Sequence, residues 1–273
     1  MNKCAVIKVG GDVLQSEEST IGLAKNVKDL TDLGCGVIIL HGGGPQINTL
    51  QEKHGLIPNK VGGRRITGEK DLLVVTQALC GEVNVKLTSA LLNAGVNAFG
   101  CHGASGKIIG ATKRPPVCLT GTGDKPIDFG EVGDVSKINR PLLLGLLNLK
   151  VIPVIATLGV SETGRIFNIN ADNTVIRIAE SIKAEMLLFT TKIGGIYRDI
   201  NDPSSRIPSI KVTEVQDYIS SGVITDGMIP KIESAAKVVE RCVSKVAIVG
   251  PDEPGVFASV AKGSNEFGTV IHC

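Results

Sequence analysis

A lysine lies inside one of the most apolar stretches of the chain, and two glycines follow it. Lys8 interrupts the apolar run of residues 4–9, and Gly10 and Gly11 come directly after that run. A charged side chain in a buried strand is costly unless it has a partner, and glycines at a strand end let backbone N–H groups approach a ligand. We therefore predict an anion-binding site at this point. The alternative is an edge strand that leaves Lys8 in solvent.

A second glycine cluster stands between an apolar run and a helical pattern. Residues 41–45 read His-Gly-Gly-Gly-Pro and follow the apolar run of residues 36–40. The N–H groups of such glycines, together with the positive end of the next helix, favour a phosphate or a carboxylate. A turn needed only for tight packing is the alternative. The dinucleotide, P-loop and lipase interpretations fail on spacing, because GxGxxG is not completed and neither GxxxxGK[ST] nor GxSxG occurs.

A pair of arginines precedes the longest helical pattern. Residues 63–67 read Gly-Arg-Arg-Ile-Thr. A guanidinium group binds carboxylates through two parallel hydrogen bonds, so one arginine could hold an acidic substrate. A solvated pair is the alternative, and for Arg64 it is the better interpretation.

Polar residues also mark the starts of two helices. Asn168, Asn170 and Asp172 alternate and therefore share one face, and helix capping explains one of them but not all three. Lys231 follows Pro230 near the start of another helix, where a cation opposes the helix dipole at a cost of about 0.3–1 kcal/mol. We expect an anionic group to compensate Lys231.

The composition narrows the class of protein. The chain has 273 residues, 29 basic against 27 acidic side chains, and eight aromatic residues, so nucleic acid is not an expected partner. Seven cysteines without a CxxC pair indicate neither a zinc site nor a disulfide framework, and no metal site is predicted. The apolar run at the N-terminus is too short for a signal peptide or a membrane span. We expect a cytoplasmic protein that acts on a small molecule.

The elements that must position these residues alternate between strands and helices. Continuous apolar runs predict buried parallel strands, and 3.6-residue spacing predicts helices between them. The predicted strands are 4–9, 36–40, 151–156, 186–190 and 246–249, and the predicted helices are 21–30, 46–53, 69–93, 139–147, 173–182, 212–221 and 229–242. Residues 103–132 and 159–170 interrupt the alternation and are expected to form loops or hairpins over a ligand, the second turning at Thr163 and Gly164. An α/β domain of two lobes on one continuous sheet is the prediction.

The motifs, taken together and in order, resemble those of the amino-acid kinase family, and most closely its N-acetylglutamate kinase branch. The matching segments are KVGG from Lys8, HGGGPQI from His41, GRRIT from Gly63, FNINAD from Phe167 and ITDGMIPK from Ile224. The resemblance implies a three-layer αβα sandwich with a mainly parallel sheet. It also implies an N-terminal lobe, 1–158, for the acylated amino acid and a C-terminal lobe, 159–273, for ATP.

The resemblance implies a role for each matching position. Lys8 and Lys231 would stabilise the transferring phosphoryl group, and Asp172 would hold the two lysines. The positions implied to bind N-acetylglutamate are Gly43, Gly44, Arg65 and Asn168. Those implied to bind ATP are Gly11, Lys192, Ile193, Gly194, Gly195, Ile196, Tyr197, Val223, Ile224 and Thr225. Lys192 departs from the family, which commonly has an acidic residue there, although the related UMP kinases also have a Thr-Lys pair.

The implied reaction fits the residues present. The γ-carboxylate of N-acetyl-L-glutamate is ionised at neutral pH, since the reference Glu pKa is about 4.3, so attack on the γ-phosphorus of ATP needs no general base. Two lysines, glycine N–H groups and Mg²⁺ would neutralise the transferring group. We expect Mg²⁺ to be held mainly by the ATP phosphates and water. The product would be N-acetyl-L-glutamyl 5-phosphate, an intermediate of arginine biosynthesis.

The sequence also gives an expected oligomeric state and leaves alternative functions open. The N-terminal helix of arginine-inhibited hexameric members is missing ahead of the first strand, so we expect a homodimer, formed through residues 69–93, without arginine feedback. A sibling kinase for N-succinylglutamate or an N-acylated aminoadipate is the first alternative, with its acyl pocket near Arg65 and residues 103–106. UMP kinase is less favoured, and a non-catalytic sensor of an amino acid or nucleotide is the alternative from another class.

Overall fold

The computed structural model describes residues 3–118, 125–225 and 228–273. Within those ranges the strands are β1 (Cys4–Val9), β2 (Gly36–His41), β3 (Lys60–Val61), β4 (Arg64–Arg65), β5 (Ala98–His102), β6 (Ile109–Lys113), β7 (Val132–Ile138), β8 (Ile152–Ala156), β9 (Leu158–Val160), β10 (Ile166–Ile169), β11 (Met186–Thr190), β12 (Ser209–Lys211), β13 (Lys245–Val249) and β14 (Thr269–His272). The helices are α1 (Glu17–Asp32), α2 (Gly44–Lys53), α3 (Glu69–Thr76), α4 (Asn84–Asn93), α5 (Arg140–Asn148), α6 (Ala171–Ile182), α7 (Val215–Ser220), α8 (Met228–Arg241) and α9 (Val256–Ala261). All five predicted strands are confirmed to within one residue at each end.

One eight-stranded sheet runs through the molecule in the order β12-β14-β13-β11-β1-β2-β8-β5. The six strands from β13 to β5 are parallel, and β14 runs antiparallel to β13. β1 therefore lies near the centre, between β11 and β2. The carboxyl ends of these parallel strands meet at one edge of the sheet, which is where ligands bind in such folds.

Helices cover both faces of this sheet. Apolar side chains of α5, α6 and α8 pack on one face with Val6 of β1, and those of α1, α4 and α9 pack on the other with Ala5, Ile7 and Val9. Successive side chains of a strand point to opposite faces, so Lys8 shares the face of Val6 and points toward the layer of α6 and α8. The three-layer αβα sandwich with a mainly parallel sheet is confirmed.

Two smaller sheets lie beside the large one. β10, β7, β6 and β9 close on themselves as a four-stranded unit, and β3 pairs with β4 as a hairpin. The predicted hairpin in residues 159–170 is confirmed: β9 and β10 are antiparallel, and Gly164 has φ +85° at the turn. That hairpin, which lies after residue 158, pairs with β6 and β7, which lie before it. The structure therefore does not separate two lobes at residue 158, and that boundary stays a prediction.

The structure differs from the sequence prediction within the longest helix. The single helix expected over 69–93 contains a π-helical segment, Gln77–Val83, between α3 and α4. Residues 103–132, expected to form loops or hairpins, include strand β6, which pairs antiparallel with β7, and the antiparallel Val117–Ile127 bridge; residues 119–124 lie outside the described part of the chain. None of the described helices is long and apolar enough to cross a membrane.

Candidate active site

Lys8 and Asp172 form an ion pair at the carboxyl edge of the sheet. Lys8 is the penultimate residue of β1 and Asp172 lies in the first turn of α6, capped by Asn170. The Lys8 Nζ lies 3.0 Å from the Asp172 Oδ1, and the Lys8 side chain is only 13% exposed. This arrangement excludes the edge-strand interpretation, because β1 has a hydrogen-bonded neighbour on each side.

Lys231 completes this charged group from α8. Its Nζ lies over the Phe189 ring, 5.8 Å from the centroid, and Phe189 is the β11 residue paired with Lys8. Burial lowers the pKa of Lys231, Asp172 opposes that shift, Lys8 adds to it, and Asp12 also opposes it. Asp172 and Asp12 are therefore the described carboxylates that favour the charged form of Lys231, and burial outweighs them.

The two glycine loops that follow β1 and β2 touch each other. A Cβ built on Gly11 would lie 2.8 Å from the Gly43 Cα and 2.9 Å from the Gly44 N. A Cβ built on Gly43 would lie 2.7 Å from the Leu79 Cδ2, within the π-helical segment. Backbone groups of both loops can therefore approach one bound anion only while these positions carry no side chain.

Gly11→Ala is expected to lower kcat at least about tenfold and to destabilise the fold by about 1–3 kcal/mol, since the new methyl group must push one loop away from the other. The measurement is steady-state turnover together with thermal unfolding. Gly145→Ala is the matched control, because a Cβ there, within α5, meets no atom within 4 Å. That control should keep full activity and gain slight stability from the better helix former; equal losses in the two variants would contradict the prediction.

A cavity of about 220 Å³ opens beside the second glycine loop. Its lining includes Gly43, Gly44, Arg65 and Asn168, the four positions implied to bind the acidic substrate, and also Thr157 at the end of β8. The structure thus brings these four residues together, while residues 103–106 do not line the cavity. Gly103 instead packs against β6 and β9, where a Cβ on it would lie 1.8 Å from the Leu158 O. An acyl pocket near Arg65 and residues 103–106 stays a prediction.

Arg65 is held in place by neutral groups. Its guanidinium donates to the Gln51 Oε1, to the Asn48 Oδ1 and to the Gly44 O, and Gln51 donates in turn to Asp71. Burial lowers the pKa of Arg65 and Asp71 opposes that shift. With no carboxylate paired to it directly in the described part of the chain, the guanidinium charge is available to an acidic ligand.

Three further cations line the same cavity and were not identified from the sequence as ligands. Arg114 is 9% exposed and its Nε donates to the Asp134 Oδ1 at 3.0 Å, so its charge is compensated. Lys60 and Arg64, on the β3–β4 hairpin, form no ion pair with any described carboxylate. Burial lowers the pKa of Lys60, and the charge of Arg65 lowers it further. The cavity therefore has uncompensated positive charge.

A second cavity, of about 300 Å³, lies at the carboxyl ends of β11 and β13. Lys192, Ile193, Gly194 and Tyr197 line it, together with residues 250–253 in part. Among the other positions implied to bind ATP, Ile196 is 4% exposed and its N–H donates to the Thr269 Oγ1.

Residues 223–225 do not line this second cavity. Ile224 is 1% exposed, and the N–H groups of Val223 and Ile224 both donate to the Tyr218 O. Thr225 is exposed at the end of the described segment. The ATP-binding role of these three positions stays a prediction, and of the three Thr225 has the most exposed side chain.

His41, in the most conspicuous glycine motif, has a structural role. Its ring is fully buried between the Gly42 O, at 3.0 Å from Nδ1, and the Asn84 Nδ2, at 2.9 Å from Nε2. Burial lowers the pKa of His41 to about 4, so the imidazole is neutral at physiological pH. His41 thus supports the loop and does not line either cavity.

The fold and the site define a class of protein. A parallel sheet whose carboxyl edge presents two lysines, an aspartate and two glycine loops is suited to the transfer of an anionic group. The sequence profile of the amino acid kinase family matches residues 3–250. The chain belongs to this family.

Curated relatives match over nearly the whole chain. The acetylglutamate kinase of Anaeromyxobacter dehalogenans (strain 2CP-C) is 39% identical over 98% of this chain and 99% of its own length. That of Sorangium cellulosum (strain So ce56) is 40% identical over 97% and 93%. A crystal structure from Streptococcus mutans UA159 covers 100% of this chain and 99% of its own at 32% identity, with a TM-score of 0.77.

More distant solved structures share the fold. The N-acetylglutamate synthase of Neisseria gonorrhoeae, complexed with coenzyme A and N-acetyl-glutamate, has a TM-score of 0.81 at 24% identity; the match covers 99% of this chain and 59% of the synthase. The carbamate kinase of Giardia lamblia bound to AMP-PNP has a TM-score of 0.70 at 15% identity, covering 100% and 99%.

Proposed function

We propose that this chain transfers the γ-phosphoryl group of ATP to the γ-carboxylate of N-acetyl-L-glutamate and so acts in arginine biosynthesis. The observation on which this rests is the charged group of Lys8, Asp172 and Lys231 beside the cavity of Arg65 and Asn168. Relatives named acetylglutamate kinase, at about 40% identity over 98% of the chain, support the choice of substrate.

The substrate lies with its α-carboxylate on Arg65 and its γ-carboxylate on the N–H groups of Gly43 and Gly44. The γ-carboxylate is the nucleophile and is ionised at neutral pH, so no base removes a proton. Binding on a fixed loop converts the attack into an oriented step within the complex. Asn168 donates from its Nδ2 to the Thr67 Oγ1 at 3.1 Å, and its Oδ1, which accepts from none of the described residues, would accept the amide N–H of the substrate.

Phosphoryl transfer moves negative charge between the carboxylate, the equatorial oxygens and the leaving oxygen. Lys8 and Lys231 neutralise that charge from two sides, while Asp172 orients Lys8 through their ion pair and favours the protonated form of Lys231. The described side chains include no cluster of three or more His, Cys, Asp or Glu able to hold a metal ion. Mg²⁺ would be held by the phosphates of ATP and by water, and would neutralise part of their charge.

The assembly we propose is a homodimer formed through the long helix of residues 69–93, in the cytoplasm. Large apolar side chains are exposed there: Leu73 and Val85 are each 61% exposed and Leu92 is 53% exposed. Val85 and Leu92 are seven residues apart and so lie on one face of α4. A second copy that covered this face would remove these side chains from water.

Val85→Asp is expected to weaken the dimer at least about tenfold, because a carboxylate would be desolvated where an apolar side chain is now covered. Light scattering after size-exclusion chromatography over a concentration series measures the effect. Leu149→Asp, at a position 73% exposed after α5, is the control and should leave the molar mass unchanged. A wild-type monomer at high concentration would refute the proposed assembly.

A sibling kinase for an N-acylated acid with an additional carboxylate remains the second candidate. The uncompensated charges of Lys60 and Arg64 at the acceptor cavity favour it, since N-acetylglutamate has only two carboxylates. The deciding experiment is ATP-dependent acyl phosphate formation, trapped as a hydroxamate, with N-acetylglutamate, N-succinylglutamate, glutamate and UMP in parallel. Turnover with N-acetylglutamate alone is expected. Preferred turnover of N-succinylglutamate would select the sibling, and binding without turnover on all four would indicate a sensor.

A further inference from the structure

Gln46 links the two glycine loops through its side chain. It lies in the first turn of α2, directly after Gly44 and Pro45, and its Nε2 donates to the Gly11 O at 2.8 Å. This hydrogen bond joins residues 35 positions apart in the sequence. The Gln46 side chain therefore starts from the glycine loop after β2 and holds, at its other end, the glycine loop that follows Lys8.

The Gln46 amide also fills the junction between the loops. A Cβ on Gly11 would lie 2.9 Å from the Gln46 Oε1, and a Cβ on Gly43 would lie 3.6 Å from the same atom. The side chain thus stands between the two backbone segments that we propose to bind the two substrates. A change in its length or donor pattern changes the distance between those segments.

The amide oxygen of Gln46, Oε1, has no hydrogen-bond partner in the described part of the chain. Oε1 is buried and accepts no hydrogen bond from any described residue. A carbonyl oxygen such as the Gly11 O only accepts hydrogen bonds, so Nε2 must face it. The amide therefore cannot rotate by half a turn to give Oε1 a hydrogen-bond donor. An unpaired buried oxygen costs free energy that an apolar side chain of similar shape would not incur, so packing alone does not account for a glutamine here.

We propose that Gln46 is a positioning residue for phosphoryl transfer, whose Nε2 bond to the Gly11 O sets the separation of the acceptor carboxylate from the γ-phosphorus. The inference rests on the proposed function, because it assigns one substrate to each loop. Each loop retains its own binding groups without Gln46, so the loss of the bond affects the alignment of the bound substrates and not the binding of either one alone.

Gln46→Leu removes the donor with little change in volume, and Gln46→Glu keeps the shape but places an acceptor against the Gly11 O. Both variants are expected to lower kcat by about tenfold to a hundredfold, with less than a threefold change in the KM of either substrate. Calorimetry with N-acetylglutamate alone and with the magnesium complex of AMP-PNP alone should give dissociation constants within threefold of wild type. Gln216→Leu, the same substitution on the exposed face of α7, is the matched control and should be indistinguishable from wild type.

A pH series on Gln46→Glu tests the donor itself. Protonation of the introduced carboxyl group restores an O–H that can donate to the Gly11 O, so the ratio of its kcat to that of wild type should rise as the pH falls from 8 to 5.5. If Gln46→Leu does not fold, the pH series on Gln46→Glu alone tests the inference. A kcat within twofold of wild type, a loss confined to KM, or a ratio independent of pH would overturn the inference. Absence of turnover by wild type on every acid tested would instead refute the proposed function.

Discussion

Lys8→Met is expected to lower kcat by about a hundredfold to a thousandfold, the loss typical when one preorganised charge donor is removed from a transition state. The methionine side chain fills the same space in β1 without the charge. The loss should fall on kcat more than on KM, because the ammonium group, 3.0 Å from Asp172, is compensated in the resting site and is used fully only when negative charge develops during transfer.

The fold should tolerate Lys8→Met. Lys8 points into a layer otherwise packed with apolar side chains. Loss of one member of a buried ion pair is costly when the other charge stays buried and unpaired, but the Asp172 side chain is 37% exposed and keeps the favourable charge of Lys231 beside it. We expect the unfolding midpoint to move by no more than about 4 °C, the shift that roughly 1 kcal/mol produces in a chain of this size. Lys25→Met, at an exposed position of α1, is the matched control. Turnover near the wild-type level in Lys8→Met would remove Lys8 from the mechanism.

The architecture could be predicted from the sequence because each central strand is buried on both faces. Continuous apolar runs such as those of β1 and β11 have few other structures available at their length, and the helices between them keep strict 3.6-residue spacing. The glycine loops were predictable for a related reason: a strand that ends in Gly10 and Gly11 or in residues 42–44 leaves backbone N–H groups open at the edge where parallel strands end. From the residues alone Lys8 predicted only an anion site, and its grouping with Asp172 and Lys231 was implied by the resemblance to the amino-acid kinase family.

Features that depend on packing between distant segments were not predictable. The π-helical segment Gln77–Val83 places Leu79 beneath Gly43, yet its sequence has the same helical spacing as the residues around it. Asp12 follows the first glycine pair but was not singled out, since nothing local indicates that it lies near Lys231. Arg114 lies in a stretch interpreted as a loop, and its place in the acceptor cavity comes from the pairing of β6 with β7.

Asp172→Asn is expected to lower kcat/KM at least about a hundredfold at pH 8, and the loss should be smaller at pH 6. Burial lowers the pKa of Lys231, and the negative charge of Asp172 opposes that shift. Without the charge the pKa of Lys231 falls further, so the lysine loses its proton at a lower pH. The protonated form is the one that stabilises the transferring group, and activity is lost as the pH rises through this pKa.

The pH profile of kcat/KM distinguishes this effect from simple loss of a contact, because kcat/KM reports groups of the free enzyme. Its alkaline limb should move to lower pH in Asp172→Asn and stay in place in Asp217→Asn, an aspartate in the first turn of the exposed helix α7. Each substitution also removes a negative charge from the first turn of a helix, α6 for Asp172 and α7 for Asp217. That charge is worth about 0.3–1 kcal/mol, and the control therefore accounts for its loss. A uniform loss at every pH would mean that Asp172 acts only through the orientation of Lys8. A shifted limb would mean that the aspartate keeps Lys231 charged, and a partly buried lysine must be charged if it is to bind a phosphate.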